Sequence, residues 1–89
     1  MNAFIPVFAP DAKQLSDLPY FNEHRWNPDR SGDYTADCIL GRQAARDVVN
    51  LIRQSENPAL LSSVALAIAE SGQWGATEIG FFHQLSEML

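Results

Sequence analysis

The sequence predicts a small all-α domain in which three helices follow an irregular, proline- and aromatic-rich N-terminal arm. After residue 32, apolar side chains recur at helical spacing in three segments. The 89 residues, 46% of them hydrophobic, suit one globular domain spanning 1–89. Before residue 32 lie four of the five prolines, each of which interrupts regular backbone structure: Pro6, Pro10, Pro19 and Pro28.

The predicted arm, residues 1–32, is rich in aromatic side chains, which argues against a disordered tail. We expect it to pack across the helices, with one short helix at 11–18. The segment from Tyr20 to Trp26 includes Phe21 and has the residue mixture of interface hot spots. Packing of the arm onto the core explains the same residues, so both interpretations stay open.

The first long helix is predicted over residues 33–54, with Ser31 or Asp33 as its N-terminal cap. Its apolar residues fill one half of the helical wheel, which predicts contact with more than one neighbour. Asp37 lies in the first turn towards that half, where it is either a structural carboxylate or a functional group. The other half carries a row of basic side chains, Arg42, Arg46 and Arg53. This row is either solvated or a grip for phosphates or an acidic partner.

The second helix is predicted over residues 58–71 and contains no charged residue before Glu70. Asn57 is a favourable cap, and Pro58 suits the first helical position because its missing N–H costs nothing there. Gly72 is a natural C-terminal stop.

Leu66 points away from the main apolar stripe of this helix. A helix that is apolar or small nearly all round is buried or contacts another surface. The face around Leu66 is therefore expected to be covered by the arm, by a second copy of the chain or by a partner. The main stripe consists of Leu60, Leu61, Val64 and Ile68.

The third helix is predicted over residues 76–88, with Thr77 as its cap and Glu78 complementing the helix dipole. Gly41 and Gly80 lie inside predicted helices, where each costs about 1 kcal/mol relative to alanine. We expect the close approach of a neighbouring helix or aromatic ring to explain both glycines.

The net charge is −5, and the last 35 residues contain four acidic residues and no lysine or arginine. This distribution argues against direct nucleic-acid binding, which requires a basic surface. It favours either simple solubility or a basic protein partner. The start of the chain does not have the pattern of a signal peptide, and no stretch is long and apolar enough to span a bilayer. A cytoplasmic location is therefore expected.

No residue pattern predicts catalysis, a cofactor or a metal. Cys38 is the single cysteine, so it forms no internal disulfide and no cysteine-based zinc site, and we expect a buried thiol. His83 and Glu87 are one helical turn apart, too few ligands for a metal, and are interpreted as a solvated pair. There is no phosphate-binding glycine loop and no nucleophile elbow.

The leading functional hypothesis is a non-enzymatic interaction module that blocks or regulates a basic protein, as inhibitors encoded by phages or mobile elements do. The first alternative is a homodimeric structural or regulatory protein that associates through the charge-free helix. The second alternative is a helical DNA-binding regulator that uses the arginine row. The candidate partner-binding residues are Tyr20, Phe21, Trp26, Asp37, Arg42, Arg46, Arg53, Leu66, Glu70 and Trp74.

Overall fold

The computed structural model describes residues 15–23 and 25–89 of the chain. A short hairpin of β1 (Phe21–Asn22) and β2 (Arg25–Trp26) precedes the helices. The three helices that follow are α1 (Tyr34–Ser55), α2 (Ala59–Ser71) and α3 (Ala76–Met88). The predicted three-helix class is confirmed, and each helix begins and ends within one residue of its expected limit.

The described part of the arm contains a regular element where irregular chain was expected. β1 and β2 pair antiparallel, with Phe21 opposite Trp26. Both of these side chains are buried, and their ring centroids lie 5.5 Å apart in an edge-to-face arrangement. Cross-strand aromatic contact of this kind stabilises a pair of short strands. Of the helix expected at 11–18, residues 11–14 lie outside the described residues, while Leu15 and Ser16 are helical.

α1 and α3 make the closest contact in the structure, and two glycines allow it. A methyl group at Gly41 would overlap the carbonyl oxygen of Thr77 and lie 2.7 Å from the amide nitrogen of Phe81. A methyl group at Gly80 would overlap the carbonyl oxygen of Cys38. The expectation that a neighbouring helix explains both glycines is confirmed, since each one meets the backbone of the other helix.

α2 packs chiefly against β2 and the core rather than along α1. Its inward residues join the central cluster around Val48 and Phe81. Among residues 15–23 and 25–89, one side of α2 remains exposed, with Ser62, Leu66 and Ala69 on it. The buried residues of α2 are Leu60, Val64, Ala67 and Ile68.

The helix ends show which of the expected caps form. Asp33 caps α1, because its Oδ2 accepts a hydrogen bond from the amide of Ala36 at 3.0 Å. Asn57 Oδ1 accepts from the amide of Ala59 at 3.1 Å, but the N-cap position expected for Asn57 belongs to Pro58, and Ala59 is the first helical residue. Gly72 ends α2 in the left-handed conformation with φ 68°.

The expectation that Thr77 caps α3 is wrong. The N-cap position belongs to Gly75, and Thr77 is already inside the first turn. Its side chain is fully buried, and its hydroxyl oxygen has no hydrogen-bond partner within the described part of the chain.

The start of α1 is more exposed than the apolar pattern suggested. Cys38 is half-buried, whereas a fully buried thiol was expected. Its neighbours Tyr34 and Ile39 point into solvent.

Candidate interaction surface

A fully buried carboxylate joins the hairpin segment to α3. Glu78 has 0% exposed surface. Its Oε1 accepts hydrogen bonds from Arg30 Nη1 at 2.9 Å and from the Gly75 amide at 2.8 Å. Its Oε2 accepts from the indole Nε1 of Trp26 at 2.7 Å and pairs with Arg30 Nη2. Two residues from before α1 are therefore anchored on the first turn of α3.

This arrangement keeps Glu78 ionised. Burial alone would raise the pKa of the carboxyl, but the hydrogen bonds from Arg30, Trp26 and Gly75 outweigh it and lower the pKa to about 2. A carboxylate that binds protons so weakly and already accepts four donors is a poor general base. Glu78 therefore has a structural role. The sequence predicted only its favourable interaction with the dipole of α3.

The Glu78 pKa predicts acid sensitivity. In the unfolded chain the carboxyl takes up its proton near pH 4.5, whereas the folded protein keeps it ionised down to about pH 2. The unfolded state therefore binds more protons in this window, and the free energy of unfolding should fall as pH is lowered from 4.5 to 2. Urea unfolding followed by circular dichroism at several pH values measures the effect. In Glu78→Gln this component should vanish, and an unchanged slope would contradict the assignment.

Asp37 organises the turn that leads into α1. Its Oδ1 accepts hydrogen bonds from the Ser31 amide at 2.8 Å and from the Ser31 hydroxyl at 2.9 Å, and its Oδ2 accepts from the Gly32 amide at 3.1 Å. The backbone N–H of Ser31 is the main cause of a lowered Asp37 pKa, partly opposed by burial. These hydrogen bonds give the Asp37 carboxylate a structural role, which was one of its two interpretations from the sequence.

The three aromatic candidates of the arm lie in the core. Tyr20, Phe21 and Trp26 are all buried. The Tyr20 hydroxyl donates to Asp47 Oδ2 at 2.7 Å, and burial together with this bond raises the pKa of Tyr20. Packing onto the core, one of the two interpretations kept open, explains these side chains.

The expected arginine row does not form one free basic surface. Arg42 turns towards α3, where its Nε donates to Gln84 Oε1 at 3.2 Å and its Nη2 lies 3.3 Å from Glu87 Oε1. Arg46 and Arg53 remain exposed. The helical wheel of α1 could not predict that Arg42 differs from Arg46 and Arg53, because the difference comes from α3, which packs beside Arg42.

Leu66 of α2 and Trp74 of the loop that follows it are exposed apolar residues. Their side chains are 60% and 66% exposed. Trp74 stacks on Phe82 of α3 with ring centroids 5.6 Å apart and an interplanar angle of 26°, which fixes its position. We call this surface the α2 outer face; its exposed residues are Ser62, Ala65, Leu66, Ala69, Glu70 and Trp74.

The α2 outer face has an apolar groove on one side and a polar cleft on the other. The groove, of 360 Å³, lies between Ala65, Ala69 and Trp74. The cleft, of 650 Å³, separates the end of α2 from the hairpin and is lined by Arg25 and Glu70 together with amide side chains. Protein interfaces usually combine apolar and polar areas of this kind.

Of the candidate partner-binding residues on or next to α2, Leu66, Glu70 and Trp74 are all exposed, with Glu70 beside the polar cleft and Trp74 beside the apolar groove. Within residues 15–23 and 25–89, no group of three His, Cys, Asp or Glu side chains is placed to hold a metal. His83 Nε2 lies 3.1 Å from Glu87 Oε2 on an exposed face. None of the described helices combines the length and apolar character needed to cross a bilayer.

Comparisons with protein-family profiles, with curated proteins and with solved structures give no significant match to this chain.

Proposed function

We propose that this chain is a non-enzymatic protein-interaction module that binds its partner through the α2 outer face. The observation that supports this proposal is the exposure of two large apolar side chains, Leu66 on α2 and Trp74 in the loop that follows it. α2 is held by its buried side, and Trp74 is held by its stacking on Phe82. Trp side chains in fixed positions contribute disproportionately to binding energy, because little conformational entropy is lost on association.

The charge of the chain favours a partner with basic groups around its contact area. Not every acidic side chain can contact such a partner, since Glu78 is paired with Arg30 and Glu87 with Arg42. Glu70 is exposed on the face itself. We therefore propose a regulator or inhibitor that covers a basic protein surface, as proteins from phages and mobile elements do. Apolar contact would supply most of the affinity, and Glu70 would add orientation.

Trp74→Ala should weaken partner binding by on the order of thirtyfold, the effect of removing an interface hot spot. Capture experiments on cells that contain the partner would compare the wild type with this variant. Tyr34→Ala is the matched control, because Tyr34 is an aromatic residue of similar exposure, 64%, at the start of α1. A protein retained by the wild type and the control but lost by Trp74→Ala supports the proposal. Equal retention by all three would contradict it.

The positions of the basic side chains give little support to the alternative of a DNA-binding regulator. Arg42 is paired with Glu87, so Arg46 and Arg53 are left to contact phosphates. The two unpaired cations of this row, on a chain of net charge −5, provide a weak electrostatic attraction to a duplex.

A further inference from the structure

We infer that, when no other partner is bound, a second copy of this chain covers the α2 outer face, with the two α2 helices antiparallel about a twofold axis at Leu66. The inference rests on the proposed function, because it uses the same face. It adds which molecule covers the α2 outer face and how the two α2 helices are oriented.

The charges of α2 favour an antiparallel copy. α2 has no acidic residue in its first turn and no basic residue in its last turn. Its one charged side chain, Glu70, lies near the negative C-terminal end of its own helix, which is unfavourable. An antiparallel copy places each Glu70 beside the positive N-terminal part of the other α2. A parallel copy would instead bring the two Glu70 carboxylates together.

The register centred on Leu66 also matches side chains across the axis. Ser62 and Glu70 are each four residues from Leu66, so Ser62 of one copy lies opposite Glu70 of the other. A serine hydroxyl can donate a hydrogen bond to a carboxylate, and symmetry provides this contact twice. Ala65 and Ala69 are small, which lets the two helix axes approach closely while Leu66 fills the centre.

The size of the face sets the expected strength of the dimer. Each copy contributes one helix of 13 residues and the adjoining Trp74. One short helix and one ring per copy make a small interface, whereas stable interfaces bury upward of about 1,000 Å² in total. We therefore expect a weak dimer with a dissociation constant on the order of 10 μM. A basic partner that uses the same face would bind the monomer and draw the equilibrium away from the dimer.

Sedimentation equilibrium on the full chain, from about 1 μM to about 1 mM, spans the expected dissociation constant. The average mass should rise from 9.9 kDa towards twice that value. Leu66→Glu should remain monomeric at every concentration with an unchanged helical circular dichroism spectrum. Ile39→Glu, which changes an aliphatic residue of the same exposure on α1, should dimerise like the wild type. A concentration-independent wild-type monomer, or a dimer that survives Leu66→Glu, overturns the inference.

Disulfide trapping tests the orientation. In a Cys38→Ser background, chains carrying Ser62→Cys and chains carrying Glu70→Cys are mixed and oxidised. An antiparallel pair gives mainly the mixed disulfide between positions 62 and 70. Predominant linkage of position 62 to position 62 indicates a parallel pair and overturns the inference.

The two proposals can fail separately. If the wild type is monomeric but Trp74→Ala still loses a basic partner, the second copy is excluded and the proposed function stands. If the dimer forms as described but no partner depends on Trp74, the proposal of a basic partner fails. The α2 outer face then serves for self-association.

Discussion

Gly41→Ala should prevent the chain from folding stably at room temperature. The added methyl group would overlap the carbonyl oxygen of Thr77 and crowd the Phe81 amide, and both are helix backbone atoms that cannot rotate away. α1 and α3 would have to separate along their whole contact. Overpacking of a core costs about 1–3 kcal/mol when side chains can adjust, and more when backbone must move. An 89-residue domain has roughly 5–13 kcal/mol in total.

Thermal unfolding measured by circular dichroism checks the Gly41→Ala prediction. Gly75→Ala is the matched control, because a methyl group there would lie 3.8 Å from Glu78 Oε1, an ordinary contact. It should unfold within a few degrees of the wild type. If Gly41→Ala unfolds at the wild-type temperature, α1 and α3 are not packed as described.

Glu78→Gln should lower the free energy of unfolding by about 1–3 kcal/mol, the cost of leaving hydrogen-bonding groups without their partner, because Arg30 is 27% exposed and stays partly hydrated. The substitution keeps the shape of the side chain but leaves the Arg30 guanidinium without its carboxylate. It also places an amide NH₂ group where the structure needs an acceptor for Trp26 Nε1 or the Gly75 amide. Urea unfolding at pH 7 is the measurement.

Two further variants show whether the loss comes from the buried pair. Glu87→Gln removes an exposed partner of Arg42 and should cost less than about 1 kcal/mol. Arg30→Leu combined with Glu78→Gln should recover part of the stability, because no unpaired charge is then left beside Trp26. Equal losses of unfolding free energy in Glu78→Gln and Glu87→Gln would mean that the buried position of Glu78 does not strengthen its interactions.

Local sequence signals were sufficient to predict the helices. Asp33, Asn57 and Gly72 act at the helix ends within a few residues of the sequence, so their roles follow from spacing alone. The interior glycines were informative for a different reason. A glycine is costly inside a helix, so Gly41 and Gly80 each implied a neighbour too close for a side chain.

The remaining features depend on contacts between distant parts of the chain. Glu78 meets Trp26, 52 residues away, and Arg30, 48 residues away, and no periodic pattern connects such positions. Arg42 leaves the expected basic row because Gln84, 42 residues further along, offers an acceptor. Leu66 was expected to point away from the main apolar stripe of α2, and it is exposed, but the exposure of Trp74 beside α2 depends on how the following loop packs against Phe82.

The pairing of α1 with α3 across an intervening helix also shapes how the chain can fold during synthesis. α1 and α2 emerge from the ribosome first, yet they have little surface to bury against each other. The aromatic hairpin must likewise wait for Glu78. Contacts that close such long loops form late and together, which favours a single cooperative step over a stable intermediate. Until α3 emerges, the apolar half of α1 remains open to chaperones and to other nascent chains.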